Sequence, residues 1–127
     1  MLGDREQGEY CLIELEDGRL NSIFTTVADK STKEWGRRFE HGFSQLVDWF
    51  YSLGDLKNTT RFAKDFGHGH IKFCGLLLIG RSAGLSDPDR DRLKWRTEKI
   101  RVDSHCVDCL TFDDRSEERR VGKECRL

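Results

Sequence analysis

Residues 9–16 read EYCLIELE, and their alternating pattern decides the fold of the chain. Successive side chains of a strand point to opposite sides, so the odd-numbered and the even-numbered residues form separate faces. The odd-numbered face is wholly apolar, with Cys11, Ile13 and Leu15. The even-numbered face begins with Tyr10 and Leu12 and becomes acidic at Glu14 and Glu16. We therefore expect a strand with one apolar face and a second face that carries two carboxylates at its end.

A long amphipathic helix is predicted next, over 31–53. The residues Ser31-Thr32-Lys33-Glu34 resemble a capping box, which starts helices, and Gly54 is typical of a helix end. Within the helix, large apolar residues fall on one side at helical spacing, namely Trp35, Phe39, Phe43, Leu46, Val47, Phe50 and Leu53. Such a stripe packs against a core. We expect the apolar face of 9–16 to pack against this stripe or against the strand over 71–80.

The remaining segments favour an α/β fold. Residues 71–80 read IKFCGLLLIG, a continuous apolar run that is typical of a strand covered on both faces. The sequence Ser86-Asp87-Pro88-Asp89 predicts the start of a helix that reaches about Ile100, and 107–112 predicts a short strand. Weaker signals predict two smaller elements, a strand over 22–27 and a helical turn over 60–66. The order strand, helix, strand, helix, strand indicates a mixed β-sheet flanked by helices.

Composition excludes several classes of protein. The chain has 127 residues, enough for one domain, and its 8 Phe and 3 Trp argue against a disordered tail. Its 22 basic and 23 acidic residues give a net charge of −1, so no global basic field marks a nucleic-acid binder. No apolar run approaches the ~20 residues of a membrane span, and the N-terminus has no apolar signal core. We expect a cytoplasmic protein with reduced thiols and no membrane contact.

The last stretch is expected to lie outside the fold. Residues 115–126 read RSEERRVGKECR, which resembles the translation of a common sequencing-library adapter. The alternative interpretation is a solvated charged tail. Residues 115–127 hold five basic and three acidic residues, so residues 1–114 carry a net charge of −3. A gene cut in this way can also be N-terminally truncated, and Met1 need not be the natural start.

Two features of 1–114 could carry chemistry at a phosphate. Glu14 and Glu16 project from the same face of a strand about 7 Å apart, a separation that suits Mg²⁺ with several waters. The alternative is an edge strand whose outer face is simply charged. Gln45 lies on the shoulder of the helix, between His41 and Trp49, where its amide could donate and accept hydrogen bonds at a cleft. The alternative is an exposed polar residue.

Cysteine and histidine residues offer a third possibility. His105, Cys106 and Cys109 form a C-x-x-C pattern with a preceding histidine, and His68 and His70 lie upstream. Converging thiols and imidazoles could hold zinc or form a redox pair. However, residues three apart in a strand face opposite sides, which favours buried apolar thiols instead.

The chain also resembles a known family. The segments YCLIELED, FEHGFSQLVDW, LLLIGR, SDPDRDRLKW and CLTFDD, in this order over residues 9–114, resemble the C-terminal nuclease domain of the Shedu antiphage-defence family. That domain is similar to the PD-(D/E)xK nucleases, which implies a restriction-endonuclease-like core, here N-terminally truncated. The resemblance makes Glu14 a metal-binding acid on the second core strand. It makes Gln45 the helix glutamine that precedes an aspartate-tryptophan pair, here Asp48-Trp49.

The sequence departs from the family pattern at two positions. Glu16 stands where most members of the superfamily have the catalytic lysine. The family's first aspartate has no clear equivalent, since the nearest acidic candidate, Asp4, is predicted to lie in a polar loop. A lysine would stabilise charge on the phosphate, whereas a glutamate can bind metal or orient water.

The resemblance implies a metal-dependent DNA endonuclease for antiphage defence. Mg²⁺ or Mn²⁺ would be the cofactor, phage or plasmid DNA the substrate, and a homo-oligomer the expected state of the full-length protein. Basic residues near the helices would contact phosphates, among them Arg37, Arg38, Lys57 and Arg61. The alternative is a catalytically inactive nuclease-like module that binds nucleic acid or a protein partner.

Overall fold

A computed structural model gives the architecture of the chain. It describes residues 2–4, 8–56, 59–66, 71–101 and 105–113, so the predicted tail at 115–127 lies outside the described residues. In chain order the strands are β1 (Leu2–Asp4), β2 (Glu9–Leu15), β3 (Phe24–Thr25), β4 (Glu34–Trp35), β5 (Lys72–Leu78) and β6 (Val107–Leu110). The helices are α1 (Arg37–Leu56), α2 (Thr60–Phe66) and α3 (Asp87–Lys94), which continues into a π-helical turn at Trp95–Lys99.

The predicted mixed α/β architecture is confirmed. A four-stranded sheet has the order β1-β2-β5-β6, in which β2, β5 and β6 are parallel and β1 is antiparallel to β2. Parallel neighbours need long crossovers. Here α1 and α2 lie between β2 and β5 in the chain, and α3 lies between β5 and β6. Strands β3 and β4 pair as a separate two-stranded sheet.

The odd-numbered face of β2 was expected to pack against the helix or against the strand over 71–80, and it does not pack against the helix. Helix α1 packs on the even-numbered face, where Leu12 is buried beside Gly75 and Leu77 of β5. A side chain at Gly75 would meet Phe50 and Leu46 of α1, so the absence of one lets the helix lie close to the sheet. On the odd-numbered face, in contrast, Ile13 is half-buried and Leu15 is 64% exposed.

The central strand β5 is less completely covered than its apolar sequence predicts. Leu77 is fully buried on the face that meets α1. On the opposite face Cys74 is buried, but Leu76 and Leu78 are half-buried. The continuous apolar run therefore predicts the central strand correctly, but it predicts more burial of the second face than the structure has.

Helix α1 begins and ends later than predicted. Residues Glu34–Trp35 pair with Phe24–Thr25 as β4 and β3, and the Gly36 N–H donates to the carbonyl of Ile23 at 2.6 Å. Because these backbone groups are used by strand pairing, the capping-box sequence cannot start a helix, which begins at Arg37. Gly54 does not end it, since α1 continues to Leu56.

The predicted start of the second long helix is confirmed. The Ser86 hydroxyl accepts a hydrogen bond from the Asp89 N–H, and the Asp89 carboxylate accepts one from the Ser86 N–H, which is a reciprocal capping box. The helix widens into a π-helical turn at its C-terminal end. There the Thr97 hydroxyl donates to the Leu93 carbonyl at 3.1 Å and competes for it with the backbone.

The N-terminal segment also differs from its prediction. Residues Leu2–Asp4 form β1, not a loop, and pair with Glu9–Cys11. This strand covers only the first part of β2, so Leu12–Leu15 have a strand neighbour on one side among the described residues. Among the same residues, no helix combines the length and the apolar character needed to cross a bilayer.

Candidate functional site

The two predicted carboxylates lie at the C-terminal end of β2, on the face that α1 covers. Glu14 is half-buried within the strand, and Glu16 follows the last strand residue with its N–H bonded to the Leu78 carbonyl at 2.9 Å. The Glu16 side chain is only 7% exposed, and its Oε1 accepts a hydrogen bond from His41 Nδ1 at 2.8 Å. An ionised carboxylate only accepts hydrogen bonds, so Nδ1 carries the proton.

A glycine lets the helix approach these carboxylates. A side chain at Gly42 would run into the end of Leu77 and would come within 2.9 Å of Glu16 Cγ. Because Gly42 has no side chain, α1 lies close to the end of β2. This close packing encloses Glu16 and places His41 beside it. The site is therefore positioned by packing of a helix on a sheet and not by a loop.

Gln45 lies on the same flank of α1 as His41. The two residues are one helical turn apart, which is about 6 Å along the helix, and Glu14 and Glu16 are about 6.6 Å apart along the strand. Gly42 faces Glu16 at the end of β2. Leu46, one turn further along the helix, faces Gly75, which pairs with Leu12 near the middle of β2. The helix therefore runs antiparallel to β2. Gln45 thus comes level with Glu14, and neither side chain has a polar partner among the described residues.

His41 was not predicted as a site residue. A signal was present in the sequence, since His41 precedes Gln45 by four residues and adjoins the close-approach position Gly42. Without the pairing of helix and strand, however, nothing indicated which carboxylate it would meet.

Basic residues are distributed unevenly around the site. Arg37 and Arg38 are both exposed at the start of α1, and Arg38 shares the flank of His41 and Gln45 at i, i+3 and i+7. Arg61 lies on α2 and is exposed, with an interaction of its own. Lys57 lies outside the described residues.

The described residues do not assemble a zinc site. His105 Nδ1 lies 3.0 Å from the Phe73 carbonyl, and its ring stacks on Phe50 with centroids 4.6 Å apart. Cys106 precedes β6, whereas Cys109 lies within it and packs against the core. Among the described residues no group of three or more histidine, cysteine or acidic side chains is arranged to hold a metal. His68 and His70 lie outside those residues.

The register of β1 bears on Asp4, the nearest acidic candidate for the first aspartate that the resemblance implies. Asp4 pairs with Glu9, five residues before Glu14, which places the two backbones about 16 Å apart along the strand. The backbone of Asp4 is therefore in register with the start of β2 and not with Glu14. Glu14 and Glu16 are the residues of this site that could hold Mg²⁺, which takes one or two carboxylates and fills its other positions with waters and substrate phosphate.

Comparison with known proteins identifies the family. The family model described as "Shedu protein SduA, C-terminal" matches residues 1–114. No curated protein and no solved structure matches the chain. Because the family match spans more than half of the sequence, the chain belongs to the Shedu SduA C-terminal family.

Proposed function

We propose that the chain is the nuclease part of a metal-dependent DNA endonuclease. Membership of the Shedu family suggests a role in antiphage defence. The observation that carries the proposal of nuclease chemistry is the pair of carboxylates, Glu14 and Glu16, on one face of β2 under α1. Such a pair at the end of a strand suits a divalent cation that acts on a phosphodiester.

Each polar residue of the site has a role in this proposal. Glu14 and Glu16 would hold Mg²⁺ or Mn²⁺, and the chemistry supplied by a bound ion is Lewis-acid activation of water and of the phosphate. His41 fixes the orientation of Glu16 through the bond at 2.8 Å. Gln45 would use its amide to hold a phosphate oxygen or a water, and Arg38 would contact the phosphate backbone. Attack of water on phosphorus breaks one ester bond and leaves a phosphate monoester and an alcohol.

A second candidate is a nuclease-like module that binds DNA or a protein partner without cutting. Three points favour it. The described residues contain no group of three side chains arranged to hold a metal, and the resemblance puts Glu16 at the position of the superfamily's lysine. The net charge of −3 over 1–114 also provides no general attraction for a DNA backbone to be cut. Assembly of the full-length protein into a homo-oligomer stays a prediction.

The two candidates are separated by nicking of supercoiled plasmid in Mg²⁺ or Mn²⁺. We expect Glu14→Gln and Glu16→Gln to lower the nicking rate by roughly two orders of magnitude, because each removes a charge that a metal ligand supplies. The matched control is Asp55→Asn, which removes one carboxylate from the exposed end of α1. This variant should cut at the rate of the unaltered chain.

Calorimetric titration with Mg²⁺ completes the test. Heat of binding that disappears in Glu14→Gln but persists in Asp55→Asn supports the endonuclease. If the unaltered chain binds no Mg²⁺ at millimolar concentration and nicks no plasmid, the endonuclease assignment is wrong. Retained DNA binding under those conditions would favour the inactive module.

A further inference from the structure

A second candidate binding site lies on the other flank of α1. A pocket of about 630 Å³ opens between α1, β4 and the π-helical turn that follows α3. Its wall on α1 is Phe43, which points roughly opposite to His41 because residues two apart on a helix differ by about 200°. The pocket therefore lies on the flank of the helix away from His41, and its volume suits a small molecule or one nucleotide.

The rim of the pocket carries an aromatic side chain that the fold does not bury. Trp95 is 61% exposed and Ile100 is 44% exposed, and both line the opening. Trp95 begins the π-helical turn, a rare distortion that is frequently found at functional sites. Because the folded chain buries less than half of this indole, a planar, apolar surface is available on which another ring can stack.

The inner wall includes two arginines whose guanidinium groups lie over aromatic rings. The Arg96 guanidinium lies 4.6 Å from the ring centroid of Trp35 and 4.7 Å from that of Phe43, and both of its terminal nitrogens donate to Glu40. Arg96 is thus a fixed part of the wall. Arg92 lies 5.1 Å from the Trp35 centroid.

Arg92 and Asp91 have hydrogen-bonding capacity left over. Arg92 donates through Nη1 to the Lys33 carbonyl, and its other donors have no hydrogen-bond partner among the described residues. The exposed carboxylate of Asp91 likewise makes no hydrogen bond to a described residue. A cationic donor and an anionic acceptor thus border the same apolar pocket.

We propose that this pocket binds one nucleotide with an amino-bearing base. The base would stack on Trp95, its exocyclic amine would donate to Asp91, and its phosphate would accept from Arg92. A planar apolar face, a carboxylate and a guanidinium together match a nucleotide better than an apolar peptide, which would leave both charges unpaired. Adenine, cytosine and guanine carry the amine, whereas thymine does not. The proposal does not depend on cleavage at Glu14.

The test measures binding of two fluorescein-labelled ten-nucleotide single strands, (dC)₁₀ and (dT)₁₀, to the chain in EDTA by fluorescence anisotropy. Stacking on one side chain contributes enough that we expect Trp95→Ala to weaken binding of (dC)₁₀ roughly 5- to 100-fold. Trp95→Phe, which keeps a ring, should restore most of it. The matched control is Tyr51→Ala, which removes an aromatic ring that is 77% exposed elsewhere on α1.

Asp91→Asn tests the choice of base, since an amide no longer offers two charged acceptors. We expect it to reduce the preference for (dC)₁₀ over (dT)₁₀ and to leave the far-UV circular dichroism spectrum unchanged. Competition by free dCMP would identify a site for a mononucleotide. Loss of binding in Trp95→Ala without such competition would identify a base within a strand. Equal affinities of Trp95→Ala and Tyr51→Ala for (dC)₁₀ would overturn the proposal, whatever the outcome of the nicking experiments.

Discussion

The hydrogen bond between His41 and Glu16 explains how a carboxylate is kept under a helix. The Glu16 side chain is 7% exposed, whereas the His41 side chain is 55% exposed. Burial of a carboxylate is unfavourable unless a donor satisfies it. His41 provides that donor from the solvent side and leaves the second carboxylate oxygen without a partner among the described residues. The pair thus holds Glu16 in one orientation without neutralising its capacity to bind a cation.

Replacement of His41 tests whether this orientation matters for the proposed chemistry. Asparagine can present an amide N–H close to the position of Nδ1, whereas leucine cannot. We expect His41→Leu to weaken the binding of Mg²⁺ and the nicking of plasmid about 10-fold or more, and His41→Asn to retain most of both. Calorimetry with Mg²⁺ measures the first effect independently of cleavage. Equal values for the two variants would show that His41 does not orient Glu16.

The junction between β4 and α1 depends on Gly36. Its N–H donates to the Ile23 carbonyl, and a side chain at this position would overlap the carbonyl oxygen of Ser22. The chain turns from a strand into a helix within one residue because no side chain intervenes. Gly54 is the opposite case, since it lies within α1 and a side chain there would meet no atom within 4 Å.

The two glycines therefore respond in opposite directions to the same substitution. We expect Gly36→Ala to lower the free energy of unfolding by about 1–3 kcal/mol, because the carbonyl of Ser22 must move. Gly54→Ala should raise it by up to about 1 kcal/mol, because alanine favours a helix. Urea denaturation of both variants measures the difference. Stabilisation by Gly36→Ala would mean that the helix starts earlier, as the capping-box sequence predicted.

The sequence predicted most elements but not the side on which they meet. Periodicity was sufficient for β2 and the body of α1, and a continuous apolar run was sufficient for β5. Turn chemistry was sufficient for the start of α3 at Ser86, whereas α2 had only a weak signal. The face of β2 that contacts α1 could not be predicted, because both faces offer apolar residues. Gly42 and Gly75 decide it by allowing close approach. The contact of His41 with Glu16 depends on that choice, so it could not be predicted either.

The C-terminal end of the sheet is joined by segments that are distant in the chain. The Gly80 N–H donates to the Asp17 carbonyl, and the Phe112 N–H donates to the Gly80 carbonyl. Arg81 donates to the Gly18 carbonyl at 2.9 Å and lies over the Phe112 ring. These bonds tie the ends of β2, β5 and β6 together next to Glu16. The geometry of the site therefore depends on cohesion between all three parallel strands.

Asp113 completes this junction. Its Oδ1 accepts from the Ser82 N–H at 2.9 Å and from the Thr111 hydroxyl at 2.7 Å. The bond from the Ser82 backbone, and then that from Thr111, lowers the pKa of Asp113 to about 2 from its ordinary value of 3.8. Because the pKa is lower in the folded state, the carboxylate stabilises the fold fully above about pH 4. This contribution is lost as the pH falls through about 2.

The measurement is the midpoint of thermal unfolding between pH 5 and pH 2, compared with Asp113→Asn. The asparagine keeps an acceptor for Ser82 and Thr111 but does not titrate, so its midpoint should fall less steeply below about pH 4. Asp55→Asn, which removes an exposed carboxylate far along the chain, should follow the unaltered protein throughout this range. Parallel curves for the unaltered protein and Asp113→Asn would show that the junction holds without the charge. In that case hydrogen bonds such as those at Gly80 and Phe112 would join the three strand ends without a contribution from the charge of Asp113.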